Sequence, residues 1–212
     1  MEFTSNNMTN IAIPNTATVL AFTGHRPNKD GYPLSYNPND ERSKEIRYLL
    51  HLLMLGVTQR TDTEVWAVTG GALGFDTLAG LAANDTPELK HMVAIPFWGQ
   101  WRRWGRESVN IYQNMVNSAD GYRIVDVHDR IEPPNMRGEM PYNHVRRLLL
   151  HRNDHMIRLS SGLIAFWDGG TTGGTAHCVR RYDQIKGEDA PRLVIDPKTL
   201  VVTERNWPWT SP

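Results

Sequence analysis

The sequence predicts an α/β fold: one doubly wound, mostly parallel, Rossmann-like sheet with helices on both faces. Three observations predict it. Short apolar runs alternate with segments of helical periodicity along most of the chain. Two glycine-rich turns, Thr69-Gly70-Gly71-Ala72-Leu73-Gly74-Phe75-Asp76 and Asp168-Gly169-Gly170-Thr171-Thr172-Gly173-Gly174-Thr175, each follow an apolar run and precede a helical segment. The length, 212 residues, suffices for one domain with a full core.

Each element has its own signal. Thr18–Phe22 reads as a first strand, ending at Thr23-Gly24-His25-Arg26-Pro27. A polar Gly/Pro/Asn-rich loop runs to about Asp40, where Asn39 or Asp40 is a candidate helix cap. Ile46, Leu49, Leu50, Leu53, Met54 and Val57 then repeat at helical spacing. Glu64–Thr69 is a second strand, and its helix carries Phe75, Leu78, Ala79 and Ala82 on one face. His91–Phe97 is a third strand, ended by Pro96, followed by a helix over Trp104–Asn117 and a fourth strand at Tyr122–Val127. Residues 129–142 hold Pro133-Pro134 and mixed charge and read as a lid or excursion. Asn143–Leu159 is a strong helix; Leu163–Trp167 is a fifth strand; a helix runs from about Gly174 to Lys186; Arg192–Asp196 is a sixth strand. The expected domain is 18–199, with a flexible segment before it (1–17) and a tail after it (200–212) holding a short strand at Leu200–Thr203.

Strands separated by helices imply right-handed crossovers, and ligands in such sheets sit beyond the strands' carboxyl ends at a switch point. A strand, a glycine turn and a helix start make an anion site, because free N–H groups and the helix dipole favour negative charge. The predicted ligand site is therefore a crevice between the two turns. Its candidate binding residues are Gly24, His25, Arg26, Gly70, Gly71, Gly74, Asp76, Trp101, Arg102, Asp168, Gly173, Gly174 and Thr175. Arg26 suits phosphate, Asp76 is either a dipole-compensating carboxylate or a ribose contact, and Asp168 is either a turn former or a base or ribose contact. The run Trp98–Arg106 interleaves indoles and guanidiniums, so Trp101 or a nearby Arg is expected over a base; the alternative is that Trp104 packs in the core and the arginines face water. Arg152, on the apolar stripe of its helix, needs either a structural carboxylate or a ligand phosphate. His151 and His155 lack the pattern of a metal site and read as a surface pair, and Cys178 reads as a packed helix cysteine; no metal or cofactor is expected.

Composition narrows the class. Lys+Arg and Asp+Glu are both 23, which argues against a protein whose main task is to grip duplex DNA, a local basic patch aside. A single cysteine, a polar start without a signal core and the lack of a membrane-length apolar run predict a cytoplasmic protein. Neither turn carries the Gly-Lys-Ser/Thr of a Walker A loop.

Taken together, Thr23-Gly24-His25-Arg26-Pro27, the first glycine turn, Pro96-Phe97 with Gln100 and Trp104, Arg152-Asn153 with Met156, and Gly173-Gly174-Thr175 resemble the YpsA-like branch of the SLOG superfamily. That superfamily also holds DprA/Smf and LOG ("lysine decarboxylase-like") proteins, and the resemblance spans about residues 18–196. It implies a Rossmann-like domain that binds a nucleotide or nucleotide derivative. LOG phosphoribohydrolases carry a catalytic Glu where this chain has Cys178. The expected function is thus a binder that senses or sequesters a phosphorylated nucleotide signal. One alternative is an N-glycosidic-bond hydrolase using Asp76, Asp168 or a lid carboxylate such as Glu132 or Glu139. The other is DprA-like single-stranded DNA binding. Related proteins often associate, and Trp207 and Trp209 add apolar surface near the end, so a homodimer or higher homo-oligomer is expected.

Overall fold

The computed structural model describes residues 11–27, 34–125 and 142–209. The expected excursion up to residue 141, with Glu132 and Glu139, lies outside them, as do residues 1–10. The elements in order are β1 (Thr18–Gly24), α1 (Glu41–Thr58), β2 (Val65–Thr69), α2 (Phe75–Asn84), β3 (Leu89–Ile95), α3 (Arg106–Ser118), β4 (Gly121–Ile124), α4 (Tyr142–Leu159), β5 (Gly162–Phe166), α5 (Gly173–Lys186), β6 (Arg192–Ile195) and β7 (Val202–Arg205). No helix among them is long and apolar enough to cross a membrane.

The sheet order is β4-β3-β2-β1-β5-β6-β7, parallel except for β7, which runs antiparallel to β6. The chain winds outward from β1 to β4, then returns to the other side of β1, so the switch point lies between β1 and β5. Strand alternation sorts the core onto two faces. Leu20 and Phe22 of β1 pack with Ile46, Leu50 and Met54 of α1 and Phe75 and Leu78 of α2. Val19 and Ala21 face the other way, toward Met156 and Ile157 of α4 and Val179 and Tyr182 of α5. Tyr112 and Met115 of α3 pack on Val93 and Ile95. The cap of α1 is Asp40, whose carboxylate accepts from the Ser43 N–H at 2.9 Å.

Residues on both sides of the expected span 18–199 pack against the sheet and its helices. Ile11, Ile13 and Ala17 pack against the α4/α5 face, and the Ile11 N–H donates to the Tyr122 carbonyl. At the other end, β7 starts two residues later than expected. Asp196 Oδ1 accepts from the N–H groups of Lys198 and Thr199, and Leu200 closes that turn at φ 59°, so pairing begins only beyond it. Residues 202–205 of the expected tail thus pair in the sheet. Trp207 is buried over Gly162, with its ring at 4.8 Å and nearly perpendicular to that of Trp209. These indoles cover the chain's own sheet, so their apolar surface no longer calls for a partner subunit.

Candidate functional site

Beyond the carboxyl ends of β1 and β5 lies a cavity of about 690 Å³. Its walls are the loop Thr23–Pro27 after β1, Thr172–Thr175 at the start of α5, and one side of α4 with Tyr142, Val145, Arg146 and Leu149. Ala72 and Asp76 close it from the side of α2. Four guanidiniums line it, those of Arg26, Arg146, Arg152 and Arg180, against the single carboxylate of Asp76 among the described residues. Among the described lining residues positive charge therefore prevails.

Arg152 forms the floor. It is 5% exposed, and its Nη1 lies 3.5 Å from Asp76 Oδ2, a long contact for an ion pair. Its Nε is buried without a hydrogen-bond partner among the described residues. Burial lowers the Arg152 pKa, with Asp76 acting in the opposite sense. Burial likewise pushes the Asp76 carboxyl up, opposed by Arg152 and Arg26. Asp76 stands in the first turn of α2, where the helix dipole favours a carboxylate.

His25 bridges the two halves of the crevice. Its Nε2 lies 3.1 Å from Asp168 Oδ1, and its Nδ1 lies 3.5 Å from Thr175 Oγ1. The His25 carbonyl accepts the Phe75 N–H at 3.2 Å, which ties this loop to the start of α2. Gly24 is needed beside it, because a Cβ there would overlap the Phe75 ring.

Of the residues predicted from sequence, Gly24, His25, Arg26, Asp76, Gly173, Gly174 and Thr175 line the cavity. Asp168 stands behind His25. Gly70, Gly71 and Gly74 do not line it, because the chain's own groups fill the space beside them. A Cβ on Gly70 would overlap Arg152, one on Gly71 would come 2.7 Å from Tyr112, and one on Gly74 would come 2.6 Å from Pro27. Trp101 is also elsewhere: it is 8% exposed, with its ring stacked on Tyr112 at 5.5 Å. Arg102 and Trp104 line a second lobe of about 220 Å³, which meets the first along Arg26, Ala72, Val145 and Leu149. Arg146 and Arg180 were missed. Their signal was available in part, since Tyr142, Val145, Arg146, Leu149 and Asn153 recur at helical spacing on a stripe beside the buried one.

The other chemistry-bearing side chains have structural places. Cys178 is buried beside Val179 and Tyr182, and burial pushes its thiol up to about 11. Burial also lowers His155 to about 4, with Arg123 and His151 adding to the shift. No group of three or more His, Cys, Asp or Glu residues is placed to hold a metal among the described residues.

The chain is similar to known proteins in sequence and in fold. The SPbeta prophage-derived protein YoqJ of Bacillus subtilis (strain 168) is 31% identical over 116 residues, 53% of this chain and 66% of that protein. The UPF0398 protein YpsA of the same strain is 25% identical over 191 residues, 87% of this chain and 96% of that protein. In fold, the chain is similar to the X-ray structure of DNA processing protein A (DprA) from Streptococcus pneumoniae. The TM-score is 0.50 at 18% identity, over 88% of this chain and 53% of that one. The YpsA family model, described as the YspA SLOG family, matches residues 20–200, which take in both glycine turns and every wall of the cavity but none of the terminal tryptophans. With most of its length matched, the chain belongs to the YspA SLOG family.

Proposed function

We propose that the protein binds a phosphorylated nucleotide or nucleotide-derived signal in the crevice between β1 and β5, as a sensor or sequestering protein. The observation that carries this reading is Arg152. A buried guanidinium with an unpartnered Nε and one long contact is costly unless an anion completes its shell. It faces a cavity with three further arginines. The N–H groups that open α5 are phosphate donors, and no side chain crowds Gly173 or Gly174. Asp76 takes a ribose hydroxyl while keeping Arg152. The lobe lined by Phe97, Arg102 and Trp104 takes the base.

Binding is favoured over cleavage of the glycosidic bond. The position of the LOG glutamate is the buried Cys178, and Asp76, the one lining carboxylate among the described residues, is held by Arg152. Titration calorimetry with nucleoside mono-, di- and triphosphates is the test. Affinity is expected to rise with phosphate number and to fall with salt. The glycosidic bond of the recovered nucleotide, examined by mass spectrometry, is expected intact. Release of free base points instead to the hydrolase. Binding of a single-stranded oligonucleotide in place of nucleotides points to the DNA-binding alternative.

A further inference from the structure

The geometry points to a second activity at this site: Thr175, His25 and Asp168 form a nucleophile, a base and a positioning carboxylate, and the bound phosphate ester is hydrolysed in place. This inference rests on the binding reading above and goes beyond it.

The three side chains meet across the switch point, His25 from the loop after β1, Asp168 from the loop after β5 and Thr175 from the first turn of α5. An ionised carboxylate only accepts, so Asp168 Oδ1 takes the Nε2–H of His25 at 3.1 Å. In the neutral ring this leaves the lone pair on Nδ1, toward which the Thr175 hydroxyl donates at 3.5 Å. Nucleophile–base distances are often this loose before a substrate tightens them. Both Thr175 and His25 line the cavity and are largely buried, at 6% and 5% exposure. The first N–H groups of α5 have no partners within the helix and provide donors for developing negative charge. Arg26 and Arg152 line the same space, where their charges act on a phosphoryl group's non-bridging oxygens. A base, a group that fixes its tautomer, a hydroxyl and a cationic cavity are the parts such chemistry needs.

In the first step Thr175 Oγ attacks phosphorus. The Oγ–P bond forms, the bond from phosphorus to the leaving oxygen breaks, and the hydroxyl proton passes to His25 Nδ1 and then to the leaving oxygen. In the second step water attacks the phosphothreonine. The new O–P bond forms, the Oγ–P bond breaks, and the water proton passes through His25 to Thr175 Oγ. The sum is phosphate ester plus water giving alcohol plus inorganic phosphate, with no redox change. Asp168 does not touch the substrate; it holds the ring.

The probes are adenosine and guanosine mono-, di- and triphosphates, assayed for phosphate release alongside calorimetry. The expected result is release from a nucleotide that the protein binds, with a phosphoryl group recovered on the Thr175 peptide after acid quench. Thr175→Val should lower turnover by about a hundredfold or more and lose the phosphopeptide, whereas Thr175→Ser should restore both. Asp168→Asn should lower kcat far more than it changes KM, because it disturbs the tautomer. Bound nucleotide with no phosphate release from the wild type, or equal release from Thr175→Val, overturns the relay and leaves the binding reading standing. Failure to bind any of these nucleotides removes the binding reading, and the relay with it.

Discussion

After β2, a Cβ on Gly70, Gly71 or Gly74 would meet Arg152, Tyr112 or Pro27; after β5, a Cβ on Gly173 or Gly174 would meet nothing within 4 Å. The two turns look alike in sequence and occupy equivalent places after parallel strands. Their glycines serve different ends. In the first turn the missing side chains let the chain's own groups approach, and the guanidinium of Arg152 lies where a Gly70 side chain would be. In the second turn the missing side chains leave backbone donors open to the cavity. A glycine motif thus marks close approach without saying whether the neighbour is internal or a ligand.

The comparison breaks most sharply at Gly70. Gly70→Ala displaces Arg152 from Asp76 and should cost about 3–5 kcal/mol, the range for a broken buried ion pair. Urea unfolding measures it, and Gly174→Ala should stay within about 0.5 kcal/mol of wild type in the same experiment. A cost at Gly70 no larger than at Gly174 would erase the distinction.

Acid should act on the first turn's support next. Below the turn, Thr69 Oγ1 donates to Nε2 of the buried His91 at 2.8 Å, and Nδ1–H donates to Asn84 at 2.7 Å. Burial lowers the His91 pKa from 6.5 to about 3. Above 6.5 both folded and unfolded chains keep the ring neutral. Between 6.5 and about 3 only the unfolded chain gains the proton, so stability should fall as pH drops through that window. His91→Gln should flatten this dependence in pH-resolved urea titrations.

Gly174→Val should then separate binding from folding. Its side chain enters open space, so the unfolding midpoint should hold while nucleotide affinity falls at least about tenfold, roughly 1.4 kcal/mol. Unchanged affinity would make the second turn structural as well. The smallest effect is at the rim: Trp104→Ala should weaken nucleotides by about 1 kcal/mol and leave inorganic phosphate unaffected, by calorimetry.

Most of the fold was legible because it rests on local periodicity. The apolar spacing of α1, its Asp40 cap, and the apolar runs of β1, β2 and β5 all reappear where they were expected. The crevice was expected between the turns after β2 and β5; in the sheet order the loops after β1 and β5 are neighbours at the switch point, and the glycines of the first turn do not line the cavity. Pairings between distant segments were less accessible. Arg152 on an apolar stripe signalled a buried charge, but its partner Asp76 comes from a helix on the opposite face of the sheet. Trp101 and Trp104 both pack against Tyr112, and what tells them apart is that Trp104 lines the second lobe while Trp101 does not. The start of β7 depended on the backbone of Leu200, which has no sequence signature.

β1 is the first strand of the described chain, yet its permanent neighbour on one side is β5, and His25 and Asp168 are 143 residues apart. Closing so long a loop is slow compared with forming neighbouring strand–helix units. During synthesis β1 can pair with β2 long before β5 emerges. The cavity therefore cannot exist on a growing chain until the late strands dock, and ligand capture becomes a report that the sheet has been completed. Nucleotide added during refolding should accelerate only the final docking phase or trap its product, leaving the earlier β1–β4 phases untouched.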